Sequence, residues 1–173
     1  PEYFEGNDQM PFHGWDSVTV PGAVSAWVSL SERFGKLPFS LLFEPAIDYA
    51  KNGFPVSPVI AALWKRGAAQ LAQKPGFADN FMPNGRAPLA GEIYANRHLA
   101  RSLQLIAETR GSAFYEGELA EKIEGFAKQH NAAMRVSDLA SHKADWCGTI
   151  SQRFDEVDLH EIPPNGQGIA GLM

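Results

Sequence analysis

Near the end of the chain, Pro163-Pro164-Asn165-Gly166-Gln167-Gly168 sets two glycines one residue apart just before the apolar run Ile169-Ala170-Gly171-Leu172-Met173. Glycine backbones let N–H groups face open space, and helix N-termini attract negative charge, so such a loop can cradle an anionic group on exposed amides. Asn165, Gly166, Gln167 and Gly168 are therefore the candidate substrate-binding residues. The loop lacks the lysine of a phosphate-binding loop and the complete glycine fingerprint of a dinucleotide site, and no cofactor is expected.

Other residue types capable of chemistry are present without the spacing that chemistry needs. The five histidines, His13, His98, His130, His142 and His160, are scattered. They form no HExxH pair and have no paired cysteines or calcium loop beside them, so they read as solvent-facing side chains and no metal is expected. The carboxylates from Glu116 to Glu124 alternate with Lys122 and, further on, Lys128, as on a solvated helix face. No serine sits in a GxSxG elbow. Cys147 is the single cysteine, which rules out an intrachain disulfide, and it reads as a small buried residue.

The elements that must position these residues follow from hydrophobic period. From Asn96 to Gln129 two amphipathic helices succeed one another. Leu99, Leu103 and Ile106 oppose Arg97, Arg101, Gln104 and Glu108. Leu119, Ala120, Ile123, Phe126 and Ala127 oppose Glu118, Glu121, Lys122 and Lys128. Arg110-Gly111-Ser112 supplies a C-cap glycine and a capping serine between them, and both helices are expected on one core. Upstream, Val18-Thr19-Val20 is a β-prone run stopped by Pro21-Gly22. A helix then buries Ala23, Trp27, Leu30 and Phe34, and ends at Gly35.

A second helix from Pro38 to Asn52 turns Leu42, Ala46, Tyr49 and Ala50 inward and closes at Gly53. Ser57-Pro58 caps a third, with Ile60, Trp64, Gly67 and Leu71 on one face and a stop at Pro75-Gly76. Pro1 to Ser17 reads as irregular, and Phe77 to Tyr94 as a long surface loop. Ser137-Asp138-Leu139 reads as a capped helical turn. Cys147–Arg153 and Val157–Ile162, around Asp155-Glu156, read as a β-hairpin.

These pieces, taken together, carry a resemblance. Val20-Pro21-Gly22-Ala23-Val24-Ser25-Ala26-Trp27, Phe34-Gly35, Glu44-Pro45-Ala46-Ile47 and Asn52-Gly53-Phe54-Pro55-Val56 resemble the large-subunit pattern of the γ-glutamyltransferase family. So do Asn96, Leu99-Ala100-Arg101-Ser102-Leu103, Ile106-Ala107-Glu108, Ala113-Phe114-Tyr115-Glu116-Gly117, Ser137-Asp138-Leu139-Ala140 and the Pro163-Pro164 loop, so that almost everything from Thr19 on is covered. Many relatives read Pro-Pro-Ser-Ser-Gly-Gly in that loop. Asn165 and Gln167 depart from this and resemble the branch that includes cephalosporin and glutaryl acylases.

The resemblance implies self-cleaving enzymes with an N-terminal threonine, whose free amine activates its own hydroxyl to form an acyl-enzyme. Thr19, Thr109 and Thr149 are internal here, so the resemblance puts the catalytic residues outside this chain. It also implies a mainly α fold with a C-terminal β-hairpin, a segment of the αββα N-terminal-nucleophile hydrolase fold. Residues 1–17 would be irregular, 18–144 helical, and 145–173 the hairpin and glycine loop leading into the core. The implied partners are the catalytic small subunit of the same precursor and a small γ-glutamyl or related acyl-amide substrate. The opening at Pro1 and the apolar ending at Met173 are expected of an internal segment.

Composition narrows the alternatives. A net charge of −5 without a run of Lys or Arg leaves no footprint for nucleic acid or an anionic membrane, and no apolar run reaches membrane-spanning length. Two other readings remain open at this stage: an acylase on the same scaffold, and a noncatalytic helical interaction domain.

Overall fold

The computed structural model describes residues 4–6 and 8–173; residues 1–3 and 7, within the stretch expected to be irregular, lie outside the described residues. The chain divides into two compact units, the first ending at His142 and the second running from Lys143 to Met173. About half of the residues are helical, and the described strands form two small antiparallel pairs.

The first unit contains α1 (Ala23–Phe34), a 3-10 segment (Phe39–Phe43), α2 (Glu44–Asn52), β1 (Phe54–Pro55), α3 (Pro58–Leu71) and α4 (Phe77–Phe81). It continues with β2 (Ile93–Tyr94), α5 (Arg97–Glu108), α6 (Ser112–Tyr115), α7 (Glu118–Gln129) and α8 (Val136–Ala140). Local chemistry sets the boundaries. Ser57 Oγ accepts from the Ile60 amide at 3.3 Å with Pro58 at the first helical position, and Asn96 Oδ1 accepts from the Leu99 amide at 2.9 Å. Gly53 closes α2 with φ +91°, and a side chain there would strike Ile93 and the Tyr94 carbonyl.

α5 and α7 contribute to one core. Ile106 and Ala107 from α5, Leu119 from α7, Val24 from α1 and the rings of Phe39 and Phe43 form a single buried cluster. Between the two helices, Arg110 and Gly111 both adopt positive φ, and the Gly111 amide donates to the Ile106 carbonyl. A Cβ on Gly111 would lie 3.0 Å from Val24 Cγ1, so this glycine also sets how closely α1 approaches. Ser112 is not the expected cap: its hydroxyl donates to the Thr109 carbonyl, and the separate turn α6 intervenes before α7.

The buried arcs of the first helices differ from the expected ones. In α1 it is Val24 that is buried, with Val28 packed on the core, while Trp27, Leu30 and Phe34 stay exposed. Phe43, Ile47 and Ala50 turn inward around α2, and Leu42, Ala46 and Tyr49 do not. Ile60 is exposed on α3, where Ala68 is the buried residue. Each helix carries two adjacent apolar arcs, and hydrophobic period does not tell which one meets the neighbouring helices.

Phe77 to Tyr94, expected as loop, contains α4 and β2. Distant partners hold it: Trp64 Nε1 donates to the Phe81 carbonyl at 3.0 Å, Tyr94 Oη donates to the Asn80 carbonyl at 2.7 Å, and β2 pairs with β1. Sequence-local signals do not report such contacts.

The second unit is a hairpin and its exit. β3 (Ile150–Phe154) and β4 (Val157–Glu161) pair antiparallel with Phe154 opposite Val157 and Ile150 opposite Glu161, and Asp155 enters the turn with φ +50°. The loop then leads into α9 (Gly168–Leu172). Cys147 is exposed, not buried, since the extended residues before β3 form no core of their own.

Candidate functional site

The four loop residues lie together in the second unit, where Asn165, Gly166 and Gln167 are exposed and Gly168 is half-buried. Gln167 precedes α9 without a side-chain cap, and the Ala170 amide donates to the Gln167 carbonyl at 3.0 Å. Gly168 is hemmed in by the end of β4. A Cβ at this position would sit 2.5 Å from Glu161 Oε2 and 3.0 Å from Glu161 Cβ. The requirement for glycine therefore comes from Glu161, a residue that sequence spacing did not single out. Its carboxylate also brings negative charge to the loop, which works against the anion cradle read from the glycines alone.

A second polar constellation lies in the first unit, at the Pro21-Gly22 turn. Tyr115 Oη donates to the Pro21 carbonyl at 2.8 Å and accepts from the Ser25 amide at 3.0 Å. Ser25 N–H belongs to the first turn of α1, where amides have no partner within the helix, so the tyrosine serves as a cap from a distant element. Ser25 Oγ contacts the Gly22 carbonyl at 2.8 Å and His142 Nε2 at 2.9 Å, and the His142 ring stacks on Tyr115 at 5.5 Å. His142 is thus not the solvent-facing side chain that its isolation suggested. Gly22 is backed by this ring, since a Cβ there would come within 3.3 Å of two imidazole atoms.

A serine hydroxyl against an imidazole is the start of a nucleophile–base pair, but here the hydroxyl has the Gly22 carbonyl to donate to, 2.8 Å away, as well as the imidazole beside it. That arrangement caps a turn. It does not activate an oxygen.

The carboxylates of α7 also do more than face water. Glu124 accepts from the Val136 amide at 2.6 Å and pairs with Lys128, while Asp138 Oδ2 accepts from the Arg135 amide at 2.8 Å to cap α8. Lys128 and then the Val136 N–H hold the Glu124 carboxyl below the usual carboxylate range. The remaining histidines do not converge: His130 meets Phe126 edge-on, and His160 Nδ1 lies 2.9 Å from Thr149 Oγ1. Among the described residues no group of three or more His, Cys, Asp or Glu could hold a metal ion. No helix is long and apolar enough to cross a membrane among the residues described.

A helix-rich unit built on the Pro21-Gly22 turn, followed by a hairpin and a proline–glycine loop, has well-defined counterparts. The family model for gamma-glutamyltranspeptidase matches residues 1–173. This chain belongs to the gamma-glutamyltranspeptidase family. It is 38% identical over 173 residues to the glutathione hydrolase-like YwrD proenzyme of Bacillus subtilis, covering 99% of this chain and 33% of that protein. The crystal structure of a cephalosporin acylase from Bacillus halodurans superposes with a TM-score of 0.90 at 38% identity, covering 97% of this chain and 33% of the other. A gamma-glutamyltranspeptidase from Pseudomonas nitroreducens, solved with L-DON, gives a TM-score of 0.81 at 29% identity over 90% of this chain and 45% of that one. The chain spans about a third of the length of the B. subtilis relative.

Proposed function

We propose that this chain is the helix-rich part of the large subunit of a γ-glutamyltransferase-like enzyme. The whole enzyme transfers or hydrolyses a γ-glutamyl or related acyl group through an acyl-enzyme on an N-terminal threonine beyond these residues. The likeness that carries this reading is the 38% identity, over 99% of the chain, to a glutathione hydrolase-like proenzyme. On it, β3 and β4 join the αββα core of the mature enzyme, the small catalytic subunit comes from the same precursor, and the Asn165–Gly168 loop borders the acyl-amide substrate.

A second reading, an acylase on the same scaffold, is supported by the cephalosporin acylase of B. halodurans, with its TM-score of 0.90. Asn165 and Gln167, the departures from the Pro-Pro-Ser-Ser-Gly-Gly of many relatives, also point that way.

The experiment is a side-by-side assay of the full-length processed protein on a γ-glutamyl anilide and a glutaryl anilide. Preference for the first supports the transferase reading, and preference for the second the acylase. Processed protein inactive on both would sink both. Residues 1–173 expressed alone should turn over neither substrate, because their threonines have peptide nitrogens where a free amine is needed. Turnover that survives repurification would show that a catalytic group lies among residues assigned here to structure.

A further inference from the structure

The chain contains three Asn-Gly pairs, Asn52-Gly53, Asn84-Gly85 and Asn165-Gly166, and all three asparagines are exposed. Asparagine is thermolabile, and a following glycine, lacking a side chain, leaves its amide nitrogen open to approach by the Asn side chain. Two of the pairs are held against that reaction. Asn52 is the last residue of α2, its Nδ2 donates to Asp48 Oδ1 at 2.6 Å, and the Gly53 amide donates to the Tyr49 carbonyl at 2.9 Å. The Gly85 amide donates to the Met82 carbonyl at 2.9 Å, in a turn that sets Gly85 at φ +71°. A hydrogen bond made by the protonated form opposes loss of the proton, so both nitrogens are poor nucleophiles. The Gly166 amide makes no such backbone bond among the described residues. Nor does the fold demand glycine there: a Cβ at 166 would meet Ile162 at 3.7 Å, an ordinary contact.

We propose that Asn165 is a site of spontaneous deamidation, and that in the folded protein it reacts ahead of Asn52 and Asn84. The Gly166 nitrogen, having given its proton to water or hydroxide, bonds to Asn165 Cγ. The Cγ–Nδ2 bond breaks, and Nδ2 leaves as ammonia with a proton from solvent. Water then opens the cyclic imide, at Cγ to give aspartate or at the backbone carbonyl carbon to give isoaspartate. Either product puts a carboxylate into a loop whose Gly168 already abuts Glu161, and isoaspartate also lengthens the backbone by a methylene group. The consequence for turnover rests on the proposed placement of this loop beside the acyl-amide substrate. There an added carboxylate disfavours anionic acyl groups. A glutaryl amide, with a net negative charge, is penalised more than a γ-glutamyl amide, whose ammonium offsets its carboxylate.

The test ages the full-length processed protein at mildly alkaline pH, folded and, in parallel, unfolded in guanidinium, and follows the three pairs by peptide mass spectrometry that resolves aspartate from isoaspartate. In the unfolded chain the three should convert at similar rates. Folding should slow Asn52 and Asn84 and leave Asn165 close to its unfolded rate, and Gly166→Ala, which the space beside Ile162 admits, should slow Asn165 alone. Protection of Asn165 by folding as strong as at the other two, or conversion at 165 that Gly166→Ala does not slow, would overturn the proposal. The consequence for substrate is read separately on freshly prepared enzyme. Asn165→Asp should raise KM for a glutaryl anilide roughly two- to five-fold, the scale of one exposed charge contact, and raise it less for a γ-glutamyl anilide. Conversion at Asn165 together with KM values that Asn165→Asp leaves unchanged for both anilides would refute the loop's placement at the substrate and leave the modification standing.

Discussion

The phenolic oxygen of Tyr115 lies 2.8 Å from the carbonyl oxygen of Pro21, so the end of α6 is tied to the turn that launches α1. The same oxygen accepts from the Ser25 amide at 3.0 Å. Tyr115→Phe removes both bonds at once and leaves a carbonyl and an amide without their partner in a half-buried site. The expected loss of stability is about 1–3 kcal/mol, read by denaturant unfolding. Tyr49→Phe, at an exposed tyrosine, is the control and should change little. Equal effects of the two would mean that the Tyr115 hydroxyl does not hold the turn.

Gly22 stands against the His142 ring, with a Cβ at that position 3.3 Å from Cε1 and Nε2. Gly22→Ala should therefore cost about 1 kcal/mol through overpacking, and the cost should shrink in a His142→Ala background, where the ring is gone. A double-mutant cycle measures the difference. The same penalty in both backgrounds would remove the imidazole as the reason for the glycine.

The seam of α5 is centred on Ile106, which is 4% exposed, while Leu103 and Ile123 are only half-buried. Truncation to Ala should cost about 2–5 kcal/mol at Ile106 and less at Leu103 and Ile123, with Gln104→Ala near zero. Thermal unfolding of the four variants gives the order. A larger shift at Leu103 than at Ile106 would contradict the packing described.

Arg86 bonds both carboxylate oxygens of Glu92, at 2.7 and 2.9 Å, and the Leu89 amide adds a third donor at 2.8 Å. The guanidinium first and then the amide pull the Glu92 carboxyl down to about 2. The folded value lies below the unfolded one, so this stabilisation is present above the ordinary carboxylate range and is lost as pH falls through it towards about 2. Arg86→Gln should return the Glu92 titration towards ordinary values, as followed by carboxyl NMR. A midpoint unchanged by that substitution would refute the ion pair as the cause.

On the proposed placement of the glycine loop, Gln167→Ala in the complete enzyme should change KM or the ratio of γ-glutamyl to glutaryl turnover, and leave self-cleavage intact. Gly168→Ala should disturb the loop more, because Glu161 occupies the space the methyl group needs. Abolished self-cleavage in correctly folded Gln167→Ala protein would refute a role confined to substrate.

Residue order alone determined the punctuation of this protein. Ser57-Pro58, Asn96 and the glycines at 53 and 111 act through their own backbone and nearest neighbours, so they mark boundaries wherever the rest of the chain goes. The family was legible for a related reason, since the same short pieces recur in the same order along the whole chain. Which apolar arc of α1 and α2 is buried, and that Tyr115, Ser25 and His142 meet, was decided only by tertiary structure. Ser25 and His142 are 117 positions apart, and no local period encodes a contact across that separation. Glu161 against Gly168 shows the same limit at short range, because the reversal that brings them together is made by the intervening loop and not by either residue. Local propensity decides where helices and turns begin and end. Packing between distant segments decides which side chains share a site, because that choice depends on the summed burial of many partners at once.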